Sequence, residues 1–168
     1  MTRFAGRVWR HVRAGAVPLH LGKLWKHAEG RWNRRGEYAC LYTALTRAGA
    51  LAELARARLR YGRALGPREL VSIDVTLAPV LNLTDRRSLR RAALGAGVKD
   101  EPALLTADGD EALEHCRRLA DWARSEGYTA LLVPSASAPG ETNQVIYFDV
   151  VAPKQLEIDD GPDRERVP

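Results

Sequence analysis

Four residues that can grip or polarise a ligand lie in order along the chain: Arg31 within Gly30-Arg31-Trp32-Asn33, then Tyr42, Glu53, and Ser135 within Pro134-Ser135-Ala136-Ser137. A planar guanidinium held in a turn can fork onto a pyrophosphate, or bond loop carbonyls. A tyrosine in the apolar run 39–43 can stack on a flat ring and offer its hydroxyl, or fill a core. A glutamate at the edge of a helix's apolar face can steady a developing cation, or pair with Arg56 one turn on. A serine opening a small-residue loop after a hydrophobic strand can bond a sugar or an amide, or shape the turn. Ser137 offers the same hydroxyl two residues later.

The elements that must position these groups follow from periodicity and punctuation. Residues 4–12 alternate weakly, as a strand would, and 17–29 read as loop and short helix. The stretch 30–38 is rich in turn formers, and 39–43 is a short apolar strand. Thr46 is the N-cap of a helix ending near Gly62, with Ala48, Leu51, Ala52, Ala55 and Leu59 as its inner face and Glu53 at the edge. Val71, Ile73, Val75 and Leu77 alternate as a half-buried strand over 70–77. Thr84 or Asp85 caps a short helix over 86–94, stopped by Gly95. A longer helix over 108–126 has Leu113, Cys116, Ala120 and Ala123 inside and Gly127 at its end. Strands over 129–134 and 144–151 flank the loop 135–143. From Pro153 onward the chain is polar and acidic, which predicts a disordered tail. This order of elements suits an α+β fold with mixed or antiparallel sheets and flanking helices.

Bulk properties narrow the classes. A chain of 168 residues with 45% hydrophobic and 28% charged residues is one ordinary globular domain. No apolar run nears the roughly 20 residues of a membrane helix, and the first residues lack the apolar core of a signal peptide, so a cytoplasmic protein is expected. Cys40 and Cys116 sit in apolar patterns without metal-ligand spacing, as small buried hydrophobes of a reducing compartment do. The net charge of +5 comes from scattered arginines rather than from a patch. No phosphate-binding glycine loop follows a strand, no metal-ligand cluster is present, and neither a Gly-x-Ser-x-Gly elbow nor a histidine pairing supports a serine hydrolase.

The motifs together resemble the RES domain family, whose name records an arginine, a glutamate and a serine. They match Arg31 in GRWNRRG, Glu53 in LYTALTRAGALAELARA and Ser135 in LLVPSASAPGETNQVIYF. Tyr42 in CLYTA matches the family's tyrosine, VWRHV with Arg10 its opening strand, and LNLTDRRSLRRAALG its middle segment. Glu29 stands where the family often has a second glycine. The likeness covers roughly residues 4–150, which makes 1–152 the RES domain and 153–168 the tail.

The resemblance implies an ADP-ribosyltransferase-like fold and an enzyme that consumes NAD⁺, without a metal. Glu53 would set negative charge beside the ribose, and Arg31 would clamp a phosphate with Arg10 as a second candidate. Tyr42 would stack on nicotinamide. Trp32 and Asn33 would flank the bound cofactor, and Ser135 would bond the ribose or position Arg31 and Glu53. The acceptor is water or phosphate. The family's members are toxins held by an Xre-type antitoxin from the neighbouring gene, which implies that partner, a homodimer within the complex, and contact with nucleic acid only through the antitoxin. Two other readings stay open: a mono-ADP-ribosyltransferase acting on a cellular protein, and a non-catalytic basic module that binds nucleic acid or protein.

Overall fold

The computed structural model describes residues 2–16, 29–158 and 164–167. The loop and short helix expected over 17–29 therefore lie, up to residue 28, outside the described residues. A long strand, Arg68–Asn82, organises the rest. Numbered in chain order, the strands are β1 (Thr2–Arg13), β2 (Cys40–Ala44), β3 (Arg68–Asn82), β4 (Ala130–Pro134), β5 (Thr142–Tyr147), β6 (Leu156–Ile158) and β7 (Glu165–Val167). The helices are α1 (Arg47–Tyr61), α2 (Arg86–Ala96) and α3 (Asp110–Ser125).

One edge of β3 pairs antiparallel with β1 along nearly its whole length. The other edge takes β7 and β6, both antiparallel, and then β4, parallel. β4 pairs with β5, β5 with β2, and β2 meets β1 at Trp9 and Ala44, so five strands close on themselves. Val8, Leu41, Ile73, Leu77, Ala130 and Ile146, from all five, pack into one cluster within the curl. The intervening residues of β3, β4 and β5 face outward the other way. There Leu81, Leu131, Val133, Val145 and Tyr147 form a second core with Leu89 of α2 and Cys116, Leu119 and Ala120 of α3. β3 is longer than the strand expected over 70–77; Val71, Ile73, Val75 and Leu77 are buried as the alternation predicts, with Thr76 and Ala78 exposed between and beyond them, and only 70–73 and 80–81 are buried on both faces.

The capping signals act as expected. Thr46 accepts the Gly49 N–H at the start of α1, Asp85 accepts the Ser88 N–H at the start of α2, and Gly62 closes α1. Gly127, with φ of +82°, lets its own N–H and that of Tyr128 turn back to Arg124 and Ala123. Three expectations change. α1 buries Gly49, Ala50 and Leu54, whereas Leu59 is 90% exposed. Alanines occur all round this helix, so periodicity could not select a face. The small Gly49 and Ala50 decide it by letting α1 close on Ala44 of β2. α2 runs through Gly95 and stops at Gly97, whose φ is +62°. Gly95 is instead a packing site, because a Cβ there would overlap the Trp122 indole. Finally, composition predicts disorder from Pro153, yet a short 3-10 turn at Pro153–Gln155 and strands β6 and β7 follow, both strands paired with β3. An open stretch of β3 edge satisfies their backbone groups, a long-range partner that local composition does not reveal.

Cys40 and Cys116 are free thiols, and burial pushes the Cys116 thiol up to about 11. Among the described residues no helix is long and apolar enough to cross a membrane.

Gly95→Ala separates the two readings of that glycine. In an open helix the change stabilises by up to about 1 kcal/mol. Against the rigid Trp122 ring, a loss of about 1–3 kcal/mol in denaturant unfolding is expected.

Candidate active site

A cleft of about 960 Å³ opens between the 29–35 turn, Tyr42 of β2, α1, the start of α3 and the facing ends of β4 and β5. Five arginines and four carboxylates line it, so it is cationic overall with local negative charge. Its floor is built around the Tyr42 hydroxyl. That hydroxyl accepts the Trp32 N–H at 3.0 Å and donates to Asn33 Oδ1 at 2.7 Å. A Cβ on Gly30 would overlap this hydroxyl, so the turn needs glycine to pass so close. Tyr42 as a residue is 37% exposed although its hydroxyl is enclosed. Burial holds the phenol well above its ordinary value, with Cys40 beside it adding to the shift, so it stays a neutral donor, and the residue lines the cleft.

Glu53 faces this floor from α1. Its Oε1 accepts the Ser135 hydroxyl at 3.0 Å and the Asn143 amide at 2.7 Å. Among the described residues nothing donates to Oε2. Ser135 is buried, and its oxygen also accepts the backbone N–H groups of Ser137 and Ala138. Its lone pairs are thereby taken and its proton directed at Glu53. Asn143 is brought in by register, since it sits opposite Ala44 on β2 and Val133 on β4.

Four of the five arginines, Arg31, Arg35, Arg56 and Arg117, are tethered. Arg31 Nη1 donates to the Ala107 carbonyl at 2.7 Å, and Nη2 lies 3.5 Å from Asp108. Arg56 pairs with the same Asp108 at 2.6 Å and donates to the Ala136 carbonyl. Asp108 is 81% exposed, so an exposed carboxylate bridges two cleft arginines. The 29–38 turn is pinned to one face of α3. Arg34 forks onto Glu114 and reaches Asp121, Tyr38 donates to Asp121, and Arg117 reaches Glu29 and the Gly30 carbonyl. Residues 114, 117 and 121 share that face by helical spacing.

A smaller cavity of about 250 Å³ lies on the other side of Glu53, Tyr42 and Asn143, bounded by Trp9, Arg10 and His11 of β1. Burial, with Arg68 close by, lowers the Arg10 guanidinium to about 10, which leaves it charged at neutral pH. Burial also lowers His11 to about 4; Arg68, Arg10 and Arg58 push the same way and Glu53 opposes them. His11 is therefore a neutral imidazole.

The RES domain profile matches residues 7–167. This chain belongs to the RES domain family. The structure also resembles that of the M. tuberculosis MbcT-MbcA toxin–antitoxin complex, with a TM-score of 0.75 and 22% identity over 98% of this chain and 85% of that one. At that identity the likeness concerns the fold, a mixed α+β domain. An anti-CRISPR protein aligns with a TM-score of 0.42 and 13% identity over 97% of this chain and 96% of that one, too distant to carry an argument. None of the curated proteins matches the sequence.

Of the residues that the RES motifs single out, Arg31, Tyr42 and Glu53 share the main cleft. Ser135 stands behind Glu53 and bonds it; Ser137 lines the cleft and has no such bond. Arg10 borders the smaller cavity, with Tyr42 and Glu53 between it and the cleft. Trp32 borders the cleft but is 2% exposed in the core, and Asn33 is buried under Tyr42. Both support the floor, because the turn folds them inward to meet α3 and β2. Arg56 does not pair with Glu53, as its spacing allowed, but with Asp108. Asn143, Asp108 and Arg117 carried no local signal, since each reaches the site through long-range pairing.

The neutral His11 makes a pH prediction. The unfolded chain takes up its proton near pH 6.5, whereas the folded RES domain resists until about 4. Its contribution is complete above 6.5 and is lost as the pH falls toward 4. As the pH falls through that window, the unfolding free energy of wild type should drop by about 1–3 kcal/mol relative to that of His11→Gln. Parallel curves would contradict the assignment.

Proposed function

We propose that this RES domain consumes NAD⁺ by breaking the bond between nicotinamide and ribose, on an ADP-ribosyltransferase-like fold. The observation that carries the reading is the Glu53 carboxylate, one oxygen held by Ser135 and Asn143, in the same arginine-lined cleft as Tyr42.

The chemistry suits those groups. As the C1′–N bond lengthens, its electron pair goes to the pyridinium nitrogen, which leaves neutral and needs no general acid. Positive charge grows on the ribose ring, as in glycoside cleavage. A carboxylate fixed beforehand next to C1′ stabilises that charge without reorganising. The second oxygen of Glu53 faces this task, or a ribose hydroxyl, while Ser135 and Asn143 keep the carboxylate in place. Tyr42 stacks on nicotinamide. Arg31 takes a phosphate of the dinucleotide, exchanging the exposed Asp108 for a better anion. An acceptor, water or phosphate, then bonds C1′ through oxygen and gives up its proton to solvent.

We further infer that the protein acts in the cytoplasm as a toxin. An Xre-type antitoxin from the neighbouring gene would cover the cleft, and the complex would hold a toxin dimer. Family membership and the fold likeness to MbcT support this reading.

Two variants test the reaction, read as NAD⁺ loss and nicotinamide release by NMR, with and without phosphate. Glu53→Gln keeps the shape and removes the charge, so turnover should fall at least about a hundredfold with an unchanged melting temperature. Near-normal turnover would remove Glu53 from the mechanism. Arg31→Lys replaces a fork by a point charge and should raise the NAD⁺ KM about tenfold with kcat little changed. No wild-type turnover in either buffer, together with a labelled protein in lysate, would replace this reading by protein ADP-ribosylation.

A further inference from the structure

The cleft continues well past Glu53. Along α1 its wall carries Glu53, Arg56, Arg60 and Tyr61 in that order. The first three follow i, i+3, i+7 spacing on one helix face, and Tyr61 adjoins them at the last turn. From Glu53 to Tyr61 the helix rises roughly 12 Å. Tyr61 is 53% exposed, and the Arg60 guanidinium lies over its ring, 5.4 Å from the centroid. Among the described residues neither side chain makes a hydrogen bond or ion pair, so their contact with each other is what holds this end of the cleft. Midway, Arg31 and Arg56 converge on the exposed Asp108. The wall thus presents a carboxylate, a pair of arginines around the exposed Asp108 carboxylate, and a half-exposed aromatic ring with a cation over one face.

We propose that Arg60 and Tyr61 form a distal subsite that takes the adenine base of the dinucleotide. The purine stacks on the Tyr61 ring, and the Arg60 guanidinium packs on the purine's edge or face, an arrangement open to any nucleobase π-face. This rests on the reading of the cleft as an NAD⁺ site. It adds the direction in which the molecule lies: nicotinamide riboside at Glu53, diphosphate between Arg31 and Arg56, adenine at the end of α1.

The test measures binding of ADP-ribose, and of ribose 5-phosphate as the adenine-free probe, by calorimetry on wild type, Tyr61→Ala and Tyr61→Phe. It is accompanied by the NAD⁺ KM and kcat of each. The side chain is exposed, so all three should melt alike. Tyr61→Ala should weaken ADP-ribose and raise the NAD⁺ KM about tenfold, with ribose 5-phosphate affinity and kcat unchanged. Tyr61→Phe keeps the ring and should behave as wild type. Unaltered ADP-ribose affinity in Tyr61→Ala, equal loss for both probes, or no ADP-ribose binding by wild type would overturn the subsite. If wild type turned over no NAD⁺ yet Tyr61→Ala still weakened ADP-ribose alone, the subsite would stand and the proposed reaction would fall. Normal turnover with an unchanged KM in Tyr61→Ala would overturn the subsite and leave the proposed reaction standing.

Discussion

A carboxylate partly removed from water must be hydrogen-bonded, and the way Glu53 meets that demand governs the site. Its partners, Ser135 and Asn143, sit at the end of β4 and the start of β5. One side-chain oxygen therefore ties α1 to the two strands that face it across the cleft mouth. Among the described residues the other oxygen has no donor, and Glu53 lines both the cleft and the smaller cavity. Stability and placement of charge come from one contact, so a substitution that loosens Ser135 or Asn143 also misplaces the carboxylate.

The opposite wall is held by a different device. The 29–38 turn contains little regular structure, and its backbone could not stay ordered alone. Three residues on one face of α3, Glu114, Arg117 and Asp121, bind it through Arg34, Tyr38, Glu29 and the Gly30 carbonyl. Tyr42 then bonds the same turn from the sheet side. Exposed ion pairs contribute little singly. Here they are forked and joined in a network, and they position a turn over a buried Trp32. α3 itself is fixed by the apolar core it shares with β4 and β5, so packing beneath the sheet is transmitted to the arginine in the cleft.

Charge pairing also explains the basic composition. Many arginines that could suggest a nucleic-acid surface are paired with carboxylates, as Arg7 with Asp74, Arg47 with Glu165 and Arg124 with Asp149 are. The cationic groups gathered around a concave surface are those of the cleft.

Much was legible from sequence because it depends on local chemistry. Thr46 and Asp85 read as caps since a short side-chain oxygen satisfies a helix's first N–H groups wherever it occurs. Arg31, Tyr42, Glu53 and Ser135 read as a set because the RES motifs carry their identities in order. What the tertiary structure alone decided depends on contacts between distant segments. An alanine-rich α1 could turn several faces inward, and only docking of Gly49 and Ala50 on Ala44 aimed Glu53 at the cleft. The choice of Ser135 over Ser137 follows from which hydroxyl the end of β4 turns toward α1. Asn143 and Asp108 entered the site through strand register and the approach of α3, and β6 and β7 formed because β3 had an edge to offer. Residue type and short spacing set what each group can do; chain folding over long separations set which groups meet.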